Sequence, residues 1–143
     1  MTVGRKGSRG RAESGYLVAY RTTLPTETIM KVDIKWRQEA DIAIASILGR
    51  IDNTSSDRFQ ALIEEGLSSG PRGLLMDFGR VSYISSAGLR VCLVLAKRLR
   101  STGQALAMCS LSDVNREIMA VSGFDKLIMV HEDPESAIVA MGS

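Results

Sequence analysis

From Met30 to Trp36 apolar and polar residues alternate, which puts Val32, Ile34 and Trp36 on one side of an extended chain, as in a half-exposed strand. After a short polar gap (Glu39, Ala40, Asp41), the run Ile42–Leu48 is apolar on both sides, as in a strand covered on both faces. So short a gap predicts an antiparallel hairpin for this first pair. The residues Asp52, Asn53, Thr54 and Ser55 then supply turn and capping chemistry for a helix. In that helix Phe59, Leu62, Ile63 and Leu67 form one apolar stripe. Ser69, Gly70 and Pro71 stop it, and Gly73–Phe78 reads as the next strand.

The same alternation of periods continues to the end of the chain. A helix from about Ala87 to Arg100 turns Leu89, Cys92, Leu93, Ala96 and Leu99 inward. Ala105–Leu111 is a strand, and Ser112 caps a short helix with Val114, Ile118 and Val121 inward, ended by Gly123. Lys126–Val130 is the last strand, and Asp133 with Pro134 opens a final helix carrying Ile138 and Met141 inward. Repeated strand-then-helix units imply right-handed crossovers and parallel pairing. The fold class is therefore α/β: a single domain with a mixed, mostly parallel β-sheet, an antiparallel N-terminal strand, and about four α-helices.

Composition adds a boundary. The 143 residues carry a net charge of +2, but the surplus lies at the N-terminus. Residues 1–29 hold Arg5, Lys6, Arg9, Arg11 and Arg21 against Glu13 and Glu27, and the remainder is slightly acidic. Residues 1–28, rich at first in Gly, Arg and Ser, read as a disordered basic extension, either an inert leader or a docking arm; residues 29–143 read as the domain. Cys92 and Cys109 sit in apolar runs and are expected to be buried thiols in a reducing compartment. With no apolar run long enough to span a bilayer and no secretory leader, the expected location is the cytoplasm, with no membrane partner.

In open sheets of this kind, sites gather beyond the carboxyl ends of the parallel strands. Those ends carry Asp52 with Asn53, the pair Ser85 and Ser86, Ser112 with Asp113, and His131 with Glu132. If the second and third strands are neighbours, Asp52 and the serines share one edge. Catalysis finds little support there. The chain has one histidine, His131, as a base, neither serine lies in a nucleophile-elbow sequence, and Asp52 and Asp77 are better explained as turn or capping residues than as an acid–base pair. Phosphate-binding and dinucleotide glycine patterns are absent, and histidine and cysteine are too scarce for zinc, so neither a cofactor nor a metal is expected. Direct nucleic-acid binding is not expected either, because no aromatic platform accompanies Arg90, Lys97, Arg98 and Arg100.

The adjacent serines require a separate account. One of them suffices as a helix N-cap. The pair, followed by the small residues Ala87 and Gly88, also suits a modified site. A phosphate adds about −1.5 to −2 charges at pH 7, and a helix N-terminus tolerates an anion.

The segment Met76–Leu89, MDFGRVSYISSAGL, resembles the motif DFS-x-V-x-[YF]-[IMLF]-[DS]-S-[ST/A]-G-L of the STAS family, specifically its stand-alone bacterial anti-sigma factor antagonists. Leu48–Asp52 is similar to the family's L-x-G-x-[LI]-D. The resemblance covers about Met30 to Met141, including the order of elements. It implies partner switching. The unmodified antagonist binds an anti-sigma factor that is also a serine kinase of the histidine-kinase-like ATPase type; phosphorylation releases it, and a metal-dependent serine phosphatase restores it. By position, Ser86 is the implied acceptor, with Ser85 the less favoured choice. Asp52 matches the acidic position that orients the loop or contacts the kinase, and the implied partner-binding set is Asp52, Asn53, Ser85, Ser86, Ala87, Gly88, Leu89 and Arg90. Ser85 stands where many members have Asp, and Gly79 replaces a common Ser. A non-switching STAS scaffold or ligand-binding module in another regulatory or transport-associated complex is the alternative.

Overall fold

The computed structural model describes residues 32–142, and the expected N-terminal extension lies outside them. Five strands form one sheet in the order β1-β2-β3-β4-β5: β1 Asp33–Glu39, β2 Ile42–Ile51, β3 Gly73–Ile84, β4 Ala105–Cys109 and β5 Met129–His131. β1 runs antiparallel to β2, and every other pairing is parallel. The tight connection puts Ala40 and Asp41 at positive φ, 53° and 65°. Among the described residues four α-helices connect or follow the strands: α1 Ser56–Gly66, α2 Ser86–Ser101, α3 Asp113–Ser122 and α4 Pro134–Gly142.

The doubly apolar pattern of β2 has a direct structural cause. Ala43, Ala45 and Ile47 face a large core with Phe59 and Ile63 of α1, Leu89, Cys92, Leu95 and Leu99 of α2, and Met119 of α3. Ile42 and Ile44 face the opposite way, into a smaller cluster with Leu75, Ala107, Cys109 and Ala137 of α4. Both cysteines are buried free thiols, and burial pushes Cys92 up to about 12 and Cys109 up to about 11. At pH 7 both are therefore unreactive neutral thiols.

Three elements depart from the sequence-based expectation. β3 does not stop at Phe78 but continues through Gly79 to Ile84, with register shifts against β2 between Ser46 and Leu48 and between Gly49 and Arg50. The extension is possible because the far half of β2 supplies a pairing edge, which local propensity cannot reveal. β5 is shorter than Lys126–Val130: Phe124–Lys126 form a 3₁₀ turn and strand pairing begins at Met129. In α3, Val114 and Val121 point outward, 58% and 79% exposed, while Asn115 and Met119 are buried. A polar residue takes the inward position because its side-chain amide Nδ2 donates to Val81 O at 3.1 Å. That carbonyl lies beyond the reach of β4, whose pairing with β3 ends at Asp77. The amide of Asn115 thus satisfies a backbone group that the shorter neighbouring strand leaves open.

Candidate functional site

The site forms where β2 and β3 end together. Ile51 and Ile84 are register partners, and the Ser85 N–H donates to Ile51 O at 2.8 Å. This bond fixes the start of α2 against the end of β2, so Asp52 and the serine pair share one edge as expected. Gly88 makes the close approach possible. A Cβ there would meet Ile51 Cγ2 and Ile84 Cγ1, each at 2.7 Å, so only glycine lets the first turn of α2 lie on these two side chains.

The two serines have different environments. Ser85, not Ser86, is the N-cap: its backbone is extended, and its Oγ accepts from the Gly88 N–H at 3.3 Å. Ser86 is the first helical residue, exposed, and its hydroxyl has no partner among the described residues. Of the four amides that open a helix, that of Ser85 is held by Ile51 and that of Gly88 by the Ser85 hydroxyl. Those of Ser86 and Ala87 precede any intrahelical carbonyl and point with the positive end of the helix dipole.

Asp52 closes the neighbouring turn. Its Oδ1 accepts from Thr54 Oγ1 at 2.7 Å and Thr54 N at 2.9 Å, and Ser55 Oγ lies 3.3 Å away. Its Oδ2 accepts from Arg50 Nε at 3.0 Å, and the Arg50 guanidinium lies over the Tyr83 ring, 4.7 Å from its centre. Ser55 precedes α1 without capping it through its side chain; its hydroxyl instead donates to Arg50 O at 2.7 Å and accepts from Asp52 N at 3.0 Å. The expected capping tetrapeptide is therefore a self-bonded turn.

The Thr54 hydroxyl and amide, with Arg50 and Ser55 adding to them, hold the Asp52 carboxyl at about 2, below its ordinary 3.8. A depressed carboxylate stabilises the fold fully above its unfolded value and loses that contribution as pH falls through the folded one. Asp52→Asn is expected to cost about 1 kcal/mol above pH 5, after allowance for solvent screening of a quarter-exposed group. The difference from the parent should close between pH 4 and 2 in urea titrations; a pH-independent difference would contradict the charge account.

The remaining expected residues fall into place around this edge. Asn53 and Arg90 are exposed and Ala87 is half-buried, whereas Gly88 and Leu89 are buried and support the edge from beneath. Asp77 bonds the Gly79 amide at 2.9 Å and pairs in register with Ser46. It is seven positions along β3 from Ile84, roughly 20 Å from the Asp52 turn, so the two carboxylates form no acid–base pair. His131 ends β5, paired with Cys109 and far down the strand order from β2. Among the described residues no group of three His, Cys, Asp or Glu side chains could hold a metal ion, and no helix is long and apolar enough to cross a membrane. Asn115 and Arg50 escaped the sequence reading: nothing local marks a core asparagine, and the pairing of Arg50 with Tyr83 depends on strand register.

This architecture, a five-stranded mixed sheet whose second and third strands deliver an acidic turn and a serine-headed helix to one edge, defines a class of α/β domain. The family model described as "STAS domain" matches residues 33–137, and the chain belongs to that family. BtrV of Bordetella bronchiseptica, which carries the name of an anti-sigma factor antagonist, is 36% identical over 97 residues, covering 68% of this chain and 84% of BtrV. Among solved structures, an anti-sigma factor antagonist from Mycobacterium paratuberculosis superposes with a TM-score of 0.72 at 17% identity, covering 78% of this chain and 95% of that one. The Bacillus protein SpoIIAA in its phosphorylated form gives 0.58 at 18% identity, covering 76% and 98%. These two structural likenesses concern the fold.

Proposed function

We propose that this protein is an anti-sigma factor antagonist that acts by partner switching, not an enzyme. Unmodified, it binds an anti-sigma factor that is also a serine kinase of the histidine-kinase-like ATPase type, through the edge formed by Asp52, Asn53, Ser85, Ser86, Ala87 and Arg90. The Ser86 hydroxyl oxygen attacks the γ-phosphorus of ATP, its proton passes to a base of the kinase or to solvent, and ADP leaves. A metal-dependent phosphatase later hydrolyses the ester. The name of BtrV supports the partner class.

One observation carries the choice of acceptor. Ser86 has an exposed hydroxyl with no partner among the described residues, whereas Ser85 is occupied as the helix cap. The Ser85 Oγ is already turned to the Gly88 amide, whereas a phosphate on Ser86 leaves every described hydrogen bond in place. Incubation with the cognate anti-sigma kinase and ATP, followed by mass-spectrometric mapping, should locate one phosphate on Ser86. Phosphate on Ser85 alone would overturn the assignment. No phosphate anywhere on residues 82–90 would overturn the switch and favour a non-switching STAS scaffold.

A further inference from the structure

Helix α2 has an unusual charge distribution. It carries Arg90, Lys97, Arg98 and Arg100 and no acidic residue. Arg98 pairs with Glu64 at 2.8 Å. Arg90, Lys97 and Arg100 are exposed and have no ion pair or side-chain hydrogen bond among the described residues. For Lys97 and Arg100 in the later turns this is unremarkable, since the negative end of the helix dipole favours cations there. Arg90 is different. It is the fifth residue of the helix, far from the C-terminal carbonyls that favour Lys97 and Arg100, and it has no acidic partner among the described residues.

Its position supplies the reason. Arg90 follows Ser86 by four residues, so the two lie on one helix face about 5–6 Å apart at Cβ. An anion N-terminal to a cation at this spacing is the favourable order. A guanidinium presents a planar fork of donors that fits phosphate oxygens. The acidic group of the shared edge, Asp52, does not compete for Arg90, because Arg50 and Thr54 already hold it.

We propose that a phosphate on Ser86 is held by Arg90, so that modification both adds a dianion and withdraws one cation from the face that α2 presents to an acidic surface of the partner. The proposal rests on Ser86 being the modified residue and adds how the modification is read. The unmodified head of α2 offers a free guanidinium for partner carboxylates. The modified head offers a phosphate with its own internal counterion, and the partner's carboxylates then meet repulsion in place of a donor.

The test needs no kinase. Phosphoserine is incorporated at position 86 during translation of the full chain, and the phosphate is titrated by phosphorus NMR in the parent, Arg90→Gln and Arg90→Lys. Asp52, Arg50 and the helix dipole are common to all three, so their influence cancels in the comparison. In the parent the second ionisation should lie below the value of about 6 for phosphoserine. It should rise by roughly half a unit in Arg90→Gln, about a threefold change in proton affinity, and return toward the parent in Arg90→Lys. The difference should shrink in 1 M salt. Identical titrations of the parent and Arg90→Gln would overturn the ion pair. A kinase that ignores Ser86 would instead overturn the proposed function, so the two failures are read separately.

Discussion

Gly88→Val is expected to destabilise the domain by about 3 kcal/mol, and Gly88→Ala by about 1–2 kcal/mol. An alanine Cβ would sit 2.7 Å from Ile51 Cγ2 and from Ile84 Cγ1. Neither atom is the free end of a flexible side chain: both isoleucines are fully buried and β-branched, with restricted χ1. Relief must come from moving α2 outward. Alanine regains up to about 1 kcal/mol through its helix propensity, which offsets part of the clash; valine adds bulk and regains less. For a domain of this size the valine variant should lose roughly 10–20 °C in Tm. An outward shift also stretches the bond from Ser85 N–H to Ile51 O, so partner binding should weaken beyond what the unfolded fraction explains. A variant as stable as the parent in urea unfolding would show that the close approach is not required.

Ser86→Asp is expected to lower affinity for the anti-sigma partner by 30-fold or more, about 2 kcal/mol, while circular dichroism and Tm stay near the parent's. The reasoning follows from exposure and the helix dipole. A carboxylate at the first helical position is favoured locally, so the fold accepts it, and the loss falls on the interface alone. Ser86→Ala should bind constitutively and take no phosphate. Ser85→Ala makes the opposite comparison: it removes the cap on the Gly88 amide and should cost about 1 kcal/mol of stability, yet still be phosphorylated at Ser86. Calorimetric titration of the purified partner into each variant separates these outcomes. Equal affinity of the parent and Ser86→Asp would remove charge at this position from the mechanism.

Most of the fold was legible because its signals are local. The period-two alternation of β1, the doubly apolar run of β2 and the apolar stripe of α1 report on which faces are covered, and coverage follows directly from residue type. Capping by Ser112 was equally readable, since the hydroxyl reaches an amide three residues on, at Asn115. The α3 stripe departs from its apolar pattern for a physical reason. Val114 and Val121 are apolar but face outward, and Asn115 is polar but faces inward because an unpaired carbonyl at Val81 awaits it. That demand is created by the difference in length between β3 and β4, which no pattern within α3 encodes.

At the site the division is equally clear. Residue types alone showed that adjacent hydroxyls stand at the mouth of a helix, that small residues follow them, and that an acidic turn closes the preceding strand. These are properties of consecutive residues, and consecutive residues are neighbours in any fold. Which serine caps and which stays free required the chain direction at the end of β3. The Ser85 amide is turned toward Ile51 O, the Ser85 hydroxyl consequently toward Gly88 N, and Ser86 is left facing solvent. The pairing of β2 with β3, through residues more than thirty positions apart, brought Asp52 to the same edge and placed Arg50 on Tyr83. Contacts at that separation arise only when the sheet has closed.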